Sequence, residues 1–358
     1  MKARIESLVR PEILALDAYH VAEAAGLIKL DAMENPYGWP ESLVSEWLEA
    51  LRSVELNRYP DPQCELLQDA LREAMRIPDD MGVLLGNGSD ELIQMLALTV
   101  AQSGRKVLSV DPGFVMYRMI GLFAGMDYVS VPLQAEDFSL DLPAMLEAIE
   151  REQPALVYLA YPNNPTGNRF DADDMVRIIE AAPGLVIVDE AYAPFTDCSF
   201  LGLLGDWENL LVLRTVSKMG LAGLRLGYLV GPRPWLAEID KVRLPYNVNV
   251  LTQVSATFAL EHKPLFDAQT QSIRVERVHL FEALSGIDGL HLFPSEANFI
   301  LMRAPAGQAG AIFDGLKERK ILIKNLDGAH PMLADCLRVT VGLPEENAAM
   351  VEALKAVI

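Results

Sequence analysis

The sequence predicts an α/β protein in which helices flank a mostly parallel β-sheet, with a smaller α+β unit beside it. Between residues 36 and 250, short apolar runs alternate with segments of helical periodicity, which is the pattern of a parallel sheet. After Pro245 the pattern changes to long helical stretches, three strand-like segments and a final helix from Pro344. The strand-like segments are residues 299–302, 321–324 and 337–341. Polar loops follow five apolar runs of the first region, where open α/β sheets bind ligands.

The first of these loops is Gly86-Asn87-Gly88-Ser89-Asp90-Glu91, which follows the apolar residues 83–85. Its glycines allow a ligand to approach the backbone closely, and we expect Ser89 to cap a helix whose first amides attract a phosphate. The loop does not fit the dinucleotide fingerprint, because Glu91 stands where the third glycine belongs. The sequence therefore predicts an anion site at the start of a helix.

The next two loops each offer one side chain to a flat ligand. The apolar run 106–110 leads into Asp111-Pro112-Gly113-Phe114, and Phe114 can stack on an aromatic ring. The run 155–160 leads into Tyr161-Pro162-Asn163-Asn164-Pro165-Thr166-Gly167, whose prolines and glycine favour a sharp turn. The amide of Asn164 can donate to a ligand oxygen. On these segments alone, a core phenylalanine and a structural Asn-Pro turn explain the residues equally well.

The fourth loop begins at a carboxylate. In the segment LVIVDEAY, residues 185–192, four apolar residues run directly into Asp189, as in a strand covered on both faces. A carboxylate in that position needs a partner, and a pyridine nitrogen that it keeps protonated becomes an electron sink. A helix cap and a metal ligand remain alternatives for Asp189 considered alone.

The fifth loop contains a lysine after an apolar run. Lys218 is preceded by the hydroxyls of Thr215 and Ser217 and is followed seven residues later by Arg225. Two hydroxyls and a guanidinium can hold a phosphate dianion, while the lysine amine can form an imine with an aldehyde. An aldehyde that carries a phosphate describes pyridoxal 5′-phosphate. For the Ser-Lys pair by itself, a surface turn is the alternative.

Seven motifs of this kind follow one another over most of the chain. They are Met33-Glu34-Asn35-Pro36-Tyr37-Gly38, Asn57-Arg58-Tyr59-Pro60-Asp61-Pro62, Gly88-Ser89-Asp90-Glu91, Asn164-Pro165-Thr166-Gly167, Asp189-Glu190-Ala191-Tyr192, Ser217-Lys218 and Leu337-Arg338-Val339-Thr340-Val341-Gly342. Their order and content resemble the fold-type I aminotransferases that use pyridoxal phosphate, and most closely the histidinol-phosphate aminotransferases. The resemblance implies a large domain, residues 36–250, with a seven-stranded, mostly parallel sheet. It also implies a small α+β domain, residues 251–358, that the N-terminal arm 1–35 joins.

The resemblance also implies roles for individual residues. Lys218 would bond to the cofactor aldehyde and move the substrate proton, Asp189 would hold the pyridine nitrogen, and Tyr192 with Asn164 would hold the ring's phenolate oxygen. The remaining cofactor contacts would come from Phe114 on the ring, from Ser89, Asp90, Thr215, Ser217 and Arg225 on the phosphate, and from Tyr59 of the second subunit of a homodimer. Substrate contacts would come from Tyr19, Asn35, Tyr59, Asn164, Lys324 and Arg338, with Arg338 forking onto a carboxylate.

Three positions depart from the pattern of many relatives. The step from Lys218 to Arg225 is seven residues instead of eight, so one residue is missing from that turn. Lys324 stands where many relatives have an arginine for the substrate's phosphate, and a lysine binds phosphate as a point charge. Phe114 replaces a tyrosine, which removes a hydroxyl and leaves the ring.

Composition excludes several classes of partner. A net charge of −20 over 358 residues would repel nucleic acid and anionic membranes. No apolar run reaches the ~20 residues that a membrane helix needs, and the first residues lack a long apolar core, so we expect a protein that is neither anchored nor secreted. The histidines show no metal spacing, and we expect no metal. The cysteines, Cys64, Cys198 and Cys336, form no CxxC pair and favour a reducing cytoplasm.

The function that we expect is transamination between L-histidinol phosphate and 2-oxoglutarate in histidine biosynthesis, with ping-pong kinetics. Histidinol phosphate has no carboxylate, so Arg338 would meet its phosphate in one half-reaction and a glutamate carboxylate in the other. An aromatic amino-acid aminotransferase and a threonine-phosphate decarboxylase of the same fold share the cofactor residues and remain alternatives. A non-catalytic module that binds pyridoxal phosphate is the alternative from another class.

Overall fold

The structure is a computed structural model that describes residues 1–18 and 22–358. Its strands are β1 Ile28–Lys29, β2 Met81–Gly86, β3 Lys106–Asp111, β4 Asp127–Pro132, β5 Leu156–Ala160, β6 Leu185–Asp189, β7 Leu210–Thr215, β8 Gly227–Pro232, β9 His291–Phe293, β10 Phe299–Arg303, β11 Ile321–Leu322, β12 Lys324–Asn325 and β13 Cys336–Thr340. Its α-helices are α1 Lys2–Leu8, α2 Pro11–Leu14, α3 Glu41–Leu51, α4 Glu65–Met75, α5 Ser89–Val100, α6 Val115–Phe123, α7 Leu142–Glu152, α8 Ala172–Ala181, α9 Arg233–Asp240, α10 Val250–Glu261, α11 Lys263–Ser285, α12 Ala309–Glu318 and α13 Pro344–Lys355.

The largest sheet in the described chain has seven strands in the order β2-β8-β7-β6-β5-β3-β4. Strand β8 is antiparallel to both of its neighbours, and the other pairs are parallel. The central strands β5 and β6 are buried along their whole length, as expected for a sheet that helices cover on both faces. The predicted α/β class and the mostly parallel sheet are confirmed.

The helices that flank this sheet begin where their sequences favour it. Helix α8 is capped by Asp171, whose carboxylate accepts hydrogen bonds from the amides of Asp173 and Asp174. Helix α5 begins one residue earlier than we expected: Ser89 is its first residue and Gly88 is the cap. The reason is that the cap residue of this helix has a φ of 87°, which a glycine such as Gly88 adopts readily and a serine does not. No helix of the described ranges combines the length and apolarity that crossing a bilayer requires.

A second, antiparallel sheet of four strands has the order β12-β13-β10-β9 and packs with α11, α12 and α13. The predicted strand at residues 321–324 is wrong in one respect, because it is two short strands. Strand β11 pairs with β1, whereas β12 pairs with β13. The chain changes partners at the buried residue Ile323, since the N-terminal segment occupies the edge beside β11 and β13 provides the edge beside β12.

Residues 30–35 connect the two sheets at the site described below. The amide of Thr340 donates to the carbonyl of Leu30 at 2.9 Å, and its hydroxyl accepts from the amide of Met33 at 2.9 Å. The side chain of Asn298 donates to the carbonyl of Met33 at 3.0 Å. These bonds fix the segment along the end of β13, so that its other side faces the loop after β7.

Candidate active site

The predicted polar loops meet at the carboxyl edge of the seven-stranded sheet. A cavity opens there between the ends of β2, β3, β5, β6 and β7. Ten of the residues that line it come from the sequence-based hypothesis: Ser89, Asp90, Phe114, Asn164, Asp189, Tyr192, Thr215, Ser217, Lys218 and Arg225. Because the strands are mostly parallel, their following loops converge at one edge.

Asp189 ends β6 and is only 4% exposed. Its Oδ2 accepts a hydrogen bond from the hydroxyl of Tyr117 at 2.7 Å, and its Oδ1 accepts one from the amide of Ala191 at 3.0 Å. Burial raises the pKa of Asp189 to about 6, although both hydrogen bonds oppose the rise because they favour the charged form. A cationic partner in the cavity would complete its environment and keep the carboxylate ionised.

Lys218 lies in the 3₁₀ turn Ser217–Met219 directly after β7. Its Nζ donates to the carbonyl of Ala32 at 3.3 Å, so the N-terminal segment holds the amine in the cavity. Loss of hydration, together with the positive charge of Arg338, lowers the pKa of Lys218 to about 8. About a tenth of the amine is therefore neutral at pH 7, and the neutral amine is the form that attacks an aldehyde.

One end of the cavity is built to receive an anion. The first amides of α5, those of Ser89 and Asp90, point their dipole toward it. The hydroxyls of Thr215 and Ser217, which also line the cavity, lie 2.8 Å apart. Only a glycine at position 227 allows β8 to lie this close to the start of α5, since a Cβ on Gly227 would lie 2.6 Å from the amide nitrogen of Ser89.

Arg225 reaches the same anion-binding end in spite of the shortened turn. The residue takes a φ of 50° after the 3₁₀ turn Ala222–Leu224, and this left-handed conformation directs its side chain back toward α5. Its guanidinium lies 3.7 Å from the carboxylate of Asp90. A Cβ on Gly88 would lie 2.7 Å from its Nη2, so the glycine makes room for the arginine.

Asn164 links the two sides of the cavity. Its Nδ2 donates to the hydroxyl of Tyr192 at 3.1 Å, and its Oδ1 accepts from Nη1 of Arg338 at 2.5 Å. Arg338 lies in β13 and also donates to the carbonyl of Asp31 at 3.2 Å. Lys324 is the cross-strand partner of Arg338, so the two cationic side chains project from the same face.

Of the other predicted substrate residues, the structure places Asn35 beside this centre. Asn35 donates to the carbonyl of Met219 at 3.1 Å, next to Lys218, and to the side chain of Gln269 at 3.1 Å. Tyr59 is 80% exposed, stacks on Tyr246 with ring centroids 4.4 Å apart, and is not among the residues that line the cavity. Tyr19, and with it His20, lies outside the described residues.

Sequence reasoning missed Tyr117 and the carbonyl of Ala32. The signal for Tyr117 was present, because a tyrosine inside the apolar helical segment after Phe114 must find a partner for its hydroxyl once buried. A backbone carbonyl such as that of Ala32 carries no residue-type signal, so only the path of the chain could reveal it.

The residues of the cavity fit pyridoxal 5′-phosphate. An anion end, a half-buried aromatic ring at Phe114, a buried carboxylate and a lysine amine match the phosphate, the flat ring, the pyridine nitrogen and the aldehyde of that cofactor. The glycines at positions 88 and 227 leave room for the Arg225 guanidinium and for the Ser89 amide at the anion end, where a Cβ would clash with them. The donor set therefore agrees with the chemistry of this group.

Comparison with known proteins gives the same result. Residues 25–354 match the family described as aminotransferase class I and II. Histidinol-phosphate aminotransferase 2 of Nitrosococcus oceani is 57% identical over 99% of this chain and 98% of its own. Histidinol-phosphate aminotransferase of Chromobacterium violaceum is 55% identical over 99% of each chain. A crystal structure of histidinol-phosphate aminotransferase from Sinorhizobium meliloti, in complex with pyridoxal-5′-phosphate, superposes with a TM-score of 0.87 at 26% identity, covering 98% of this chain and 97% of that one.

Proposed function

This chain belongs to the class I and II aminotransferases, and we propose that it transfers the amino group of L-histidinol phosphate to 2-oxoglutarate, giving imidazole acetol phosphate and glutamate in histidine biosynthesis. The observation that carries the proposal is the meeting of Lys218 and Asp189 at one sheet edge beside an anion end. The relatives from Nitrosococcus oceani and Chromobacterium violaceum, which match over nearly their whole length, support histidinol phosphate as the donor.

The residues of the cavity divide the work of the reaction. When bound, pyridoxal phosphate supplies an aldehyde that takes up the amino group and a ring that accepts an electron pair. Asp189 holds a proton on the ring nitrogen, and Asn164 with Tyr192 binds the phenolate oxygen. Lys218 provides the amine that retains the cofactor between turnovers and is then the base, through Nζ, that moves the proton of the donor carbon.

Arg338 and Lys324 would recognise the substrates. Arg338 is 7% exposed and already oriented by Asn164 and the carbonyl of Asp31, so its guanidinium is prepared to bind a planar carboxylate or a phosphate. Lys324, opposite it across the strand pair, adds a second positive charge for the donor phosphate. Asn35, through its bond to the carbonyl of Met219, holds residues 30–35 against the loop that contains Lys218.

The experiment that tests this function combines turnover with a label. The purified protein, supplied with pyridoxal phosphate, should form glutamate from 2-oxoglutarate when histidinol phosphate is present. Borohydride should then fix the cofactor to Lys218, which peptide mass spectrometry can locate. A label on another lysine, or a protein that binds the cofactor and transfers no amino group, would contradict the proposal.

We further propose that the active unit is a homodimer in the cytoplasm, with Tyr59 contacting the cofactor phosphate of the partner subunit. The exposed Tyr59 and Tyr246 pair leaves two aromatic rings available to a second copy. Mixing an inactive Lys218→Ala chain with an inactive Tyr59→Asp chain should restore part of the activity, because one site of the mixed dimer is then intact. Full activity from a strict monomer would disprove the shared site. The free state of Cys64, Cys198 and Cys336 supports a reducing compartment.

A further inference from the structure

Tyr117 is a buried tyrosine of helix α6 that reaches the cavity. It is 1% exposed and lies between two aromatic rings. Its ring stacks on that of Tyr158, with centroids 4.6 Å apart, and the ring of Phe114 meets it edge-on at 5.3 Å. These contacts leave the ring little freedom, so the position of its hydroxyl is fixed by packing.

That hydroxyl is directed at the carboxylate of Asp189. It donates to Oδ2 at 2.7 Å, while the amide of Ala191 donates to Oδ1 at 3.0 Å. One donor on each oxygen fixes the plane of the carboxylate and leaves the remaining lone pairs for the cavity. Both bonds favour the charged carboxylate over the protonated acid.

We propose that Tyr117 is a positioning residue that holds Asp189 ionised and oriented toward the ring nitrogen of the cofactor. The inference rests on the proposed function, since it concerns the same site. Burial and the neighbouring Asp189 raise the pKa of Tyr117 well above its ordinary value, so the hydroxyl remains a donor over the working pH range. Burial raises the pKa of Asp189, and the Tyr117 bond opposes that rise.

The alternative is that Tyr117 only fills space, and Tyr158 offers a matched control for it. Tyr158 is equally buried and belongs to the same stack, but its hydroxyl donates to the carbonyl of Ile93 at 3.5 Å and makes no hydrogen bond to Asp189 in the described structure. Tyr117→Phe and Tyr158→Phe each remove one hydroxyl and keep the ring. A packing role would make the two variants alike, and a positioning role would separate them.

The first measurement uses the cofactor-free protein. Isotope-edited infrared spectroscopy follows the protonated carboxyl band of Asp189, identified by its loss in Asp189→Asn. We expect Tyr117→Phe to move the midpoint of this titration to higher pH, and Tyr158→Phe to leave it in place. Neither cofactor nor substrate is present in this measurement. Its result therefore does not depend on whether histidinol phosphate is the amino donor.

The second measurement compares the affinities of pyridoxal phosphate and of its 1-deaza analogue, which has carbon in place of the ring nitrogen. The parent protein should prefer pyridoxal phosphate, and Tyr117→Phe should reduce that preference by roughly tenfold to a hundredfold, the range for a hydrogen bond to a charged group. An unchanged preference with an unchanged Asp189 midpoint, or equal effects of the two variants, would overturn the proposal.

If Tyr117→Phe does not fold, 3-fluorotyrosine at position 117 replaces it. Its more acidic hydroxyl should lower the Asp189 midpoint, and no change there would overturn the proposal equally.

Discussion

Two walls of the site differ in how far the described chain satisfies their polar groups: one is the sheet edge that lines the cavity, and the other consists of Arg338 and Lys324 of the small antiparallel sheet. On the wall formed by the sheet edge, Asp189 and Lys218 each have a hydrogen-bond partner from the chain itself. On the wall formed by the small antiparallel sheet, Arg338 donates to Asn164 and to the carbonyl of Asp31, whereas the side chain of Lys324 makes no hydrogen bond or ion pair with the part of the chain that the structure describes. The reactive groups of the first wall are both bonded within the chain, whereas the side chain of Lys324 on the second wall is left for a ligand.

This difference matches a division between chemistry and selectivity. Strand ends of a packed sheet hold side chains rigidly, which suits residues that must meet the same cofactor atoms in every turnover. The small sheet carries the positive charges of Lys324 and Arg338, and charges of this kind determine which anionic ligand is preferred. Mutations on the first wall should therefore impair the reaction with every substrate, and Lys324→Ala on the second wall should separate substrates.

The largest effect should follow Asp189→Ala. Loss of the buried carboxylate leaves the ring nitrogen without a charged partner, and a buried charge-assisted contact is worth roughly 2–5 kcal/mol. Turnover should therefore fall by between roughly one and a half and three and a half orders of magnitude, with either amino donor, and cofactor affinity should fall as well. Asp173→Ala, an exposed carboxylate of α8, is the control that should keep full activity. An Asp189→Ala enzyme within tenfold of the parent would show that the carboxylate only caps the following loop.

A smaller and selective effect should come from the second wall. Lys324→Ala should weaken kcat/KM for histidinol phosphate by roughly tenfold to a hundredfold and leave the glutamate half-reaction largely intact. Arg338→Ala should impair both half-reactions, because both ligands present an anion to it. Single-turnover rates of each half-reaction measure this, with Lys317→Ala on the exposed side of α12 as the control. Equal losses from Lys324→Ala in both half-reactions would contradict the assigned selectivity.

The smallest expected effect is a change in the pH at which the amine of Lys218 titrates. Because the pKa of Lys218 is lowered to about 8 from its ordinary value of 10.5, acetic anhydride should label it in the cofactor-free protein with half-maximal rate near pH 8. Below that pH the protonated amine does not react. The sign of the shift also means that the cofactor-free fold loses stability as the pH falls from 10.5 to 8. Arg338→Gln should move the midpoint upward, since a neighbouring positive charge is removed; a downward movement would refute that coupling.

The sequence predicted the sheet wall better than the other wall. Asp189, Asn164 and Lys218 follow recognisable apolar runs, and parallel strands bring such positions together without further information. The contacts of the second wall depend on long-range register, since only the pairing of β12 with β13 places Lys324 opposite Arg338. On the first wall, the contact of the Ala32 carbonyl with Lys218 likewise depends on the path of residues 30–35. Tyr117 is an intermediate case, since the sequence shows a tyrosine in an apolar helical segment but does not show that Asp189 is its hydrogen-bond partner.

The central claim is that a substrate phosphate meets the positive charges of the second wall. The measurement that tests it most directly is kcat/KM for histidinol phosphate, histidinol and phenylalanine as donors at equal 2-oxoglutarate. Two charge-assisted contacts of roughly 1.5–3 kcal/mol each predict a preference for histidinol phosphate over histidinol of about two to four orders of magnitude. If phenylalanine equals histidinol phosphate, or if removing the phosphate makes no difference, the claim is contradicted and the chain is an aminotransferase for aromatic amino acids.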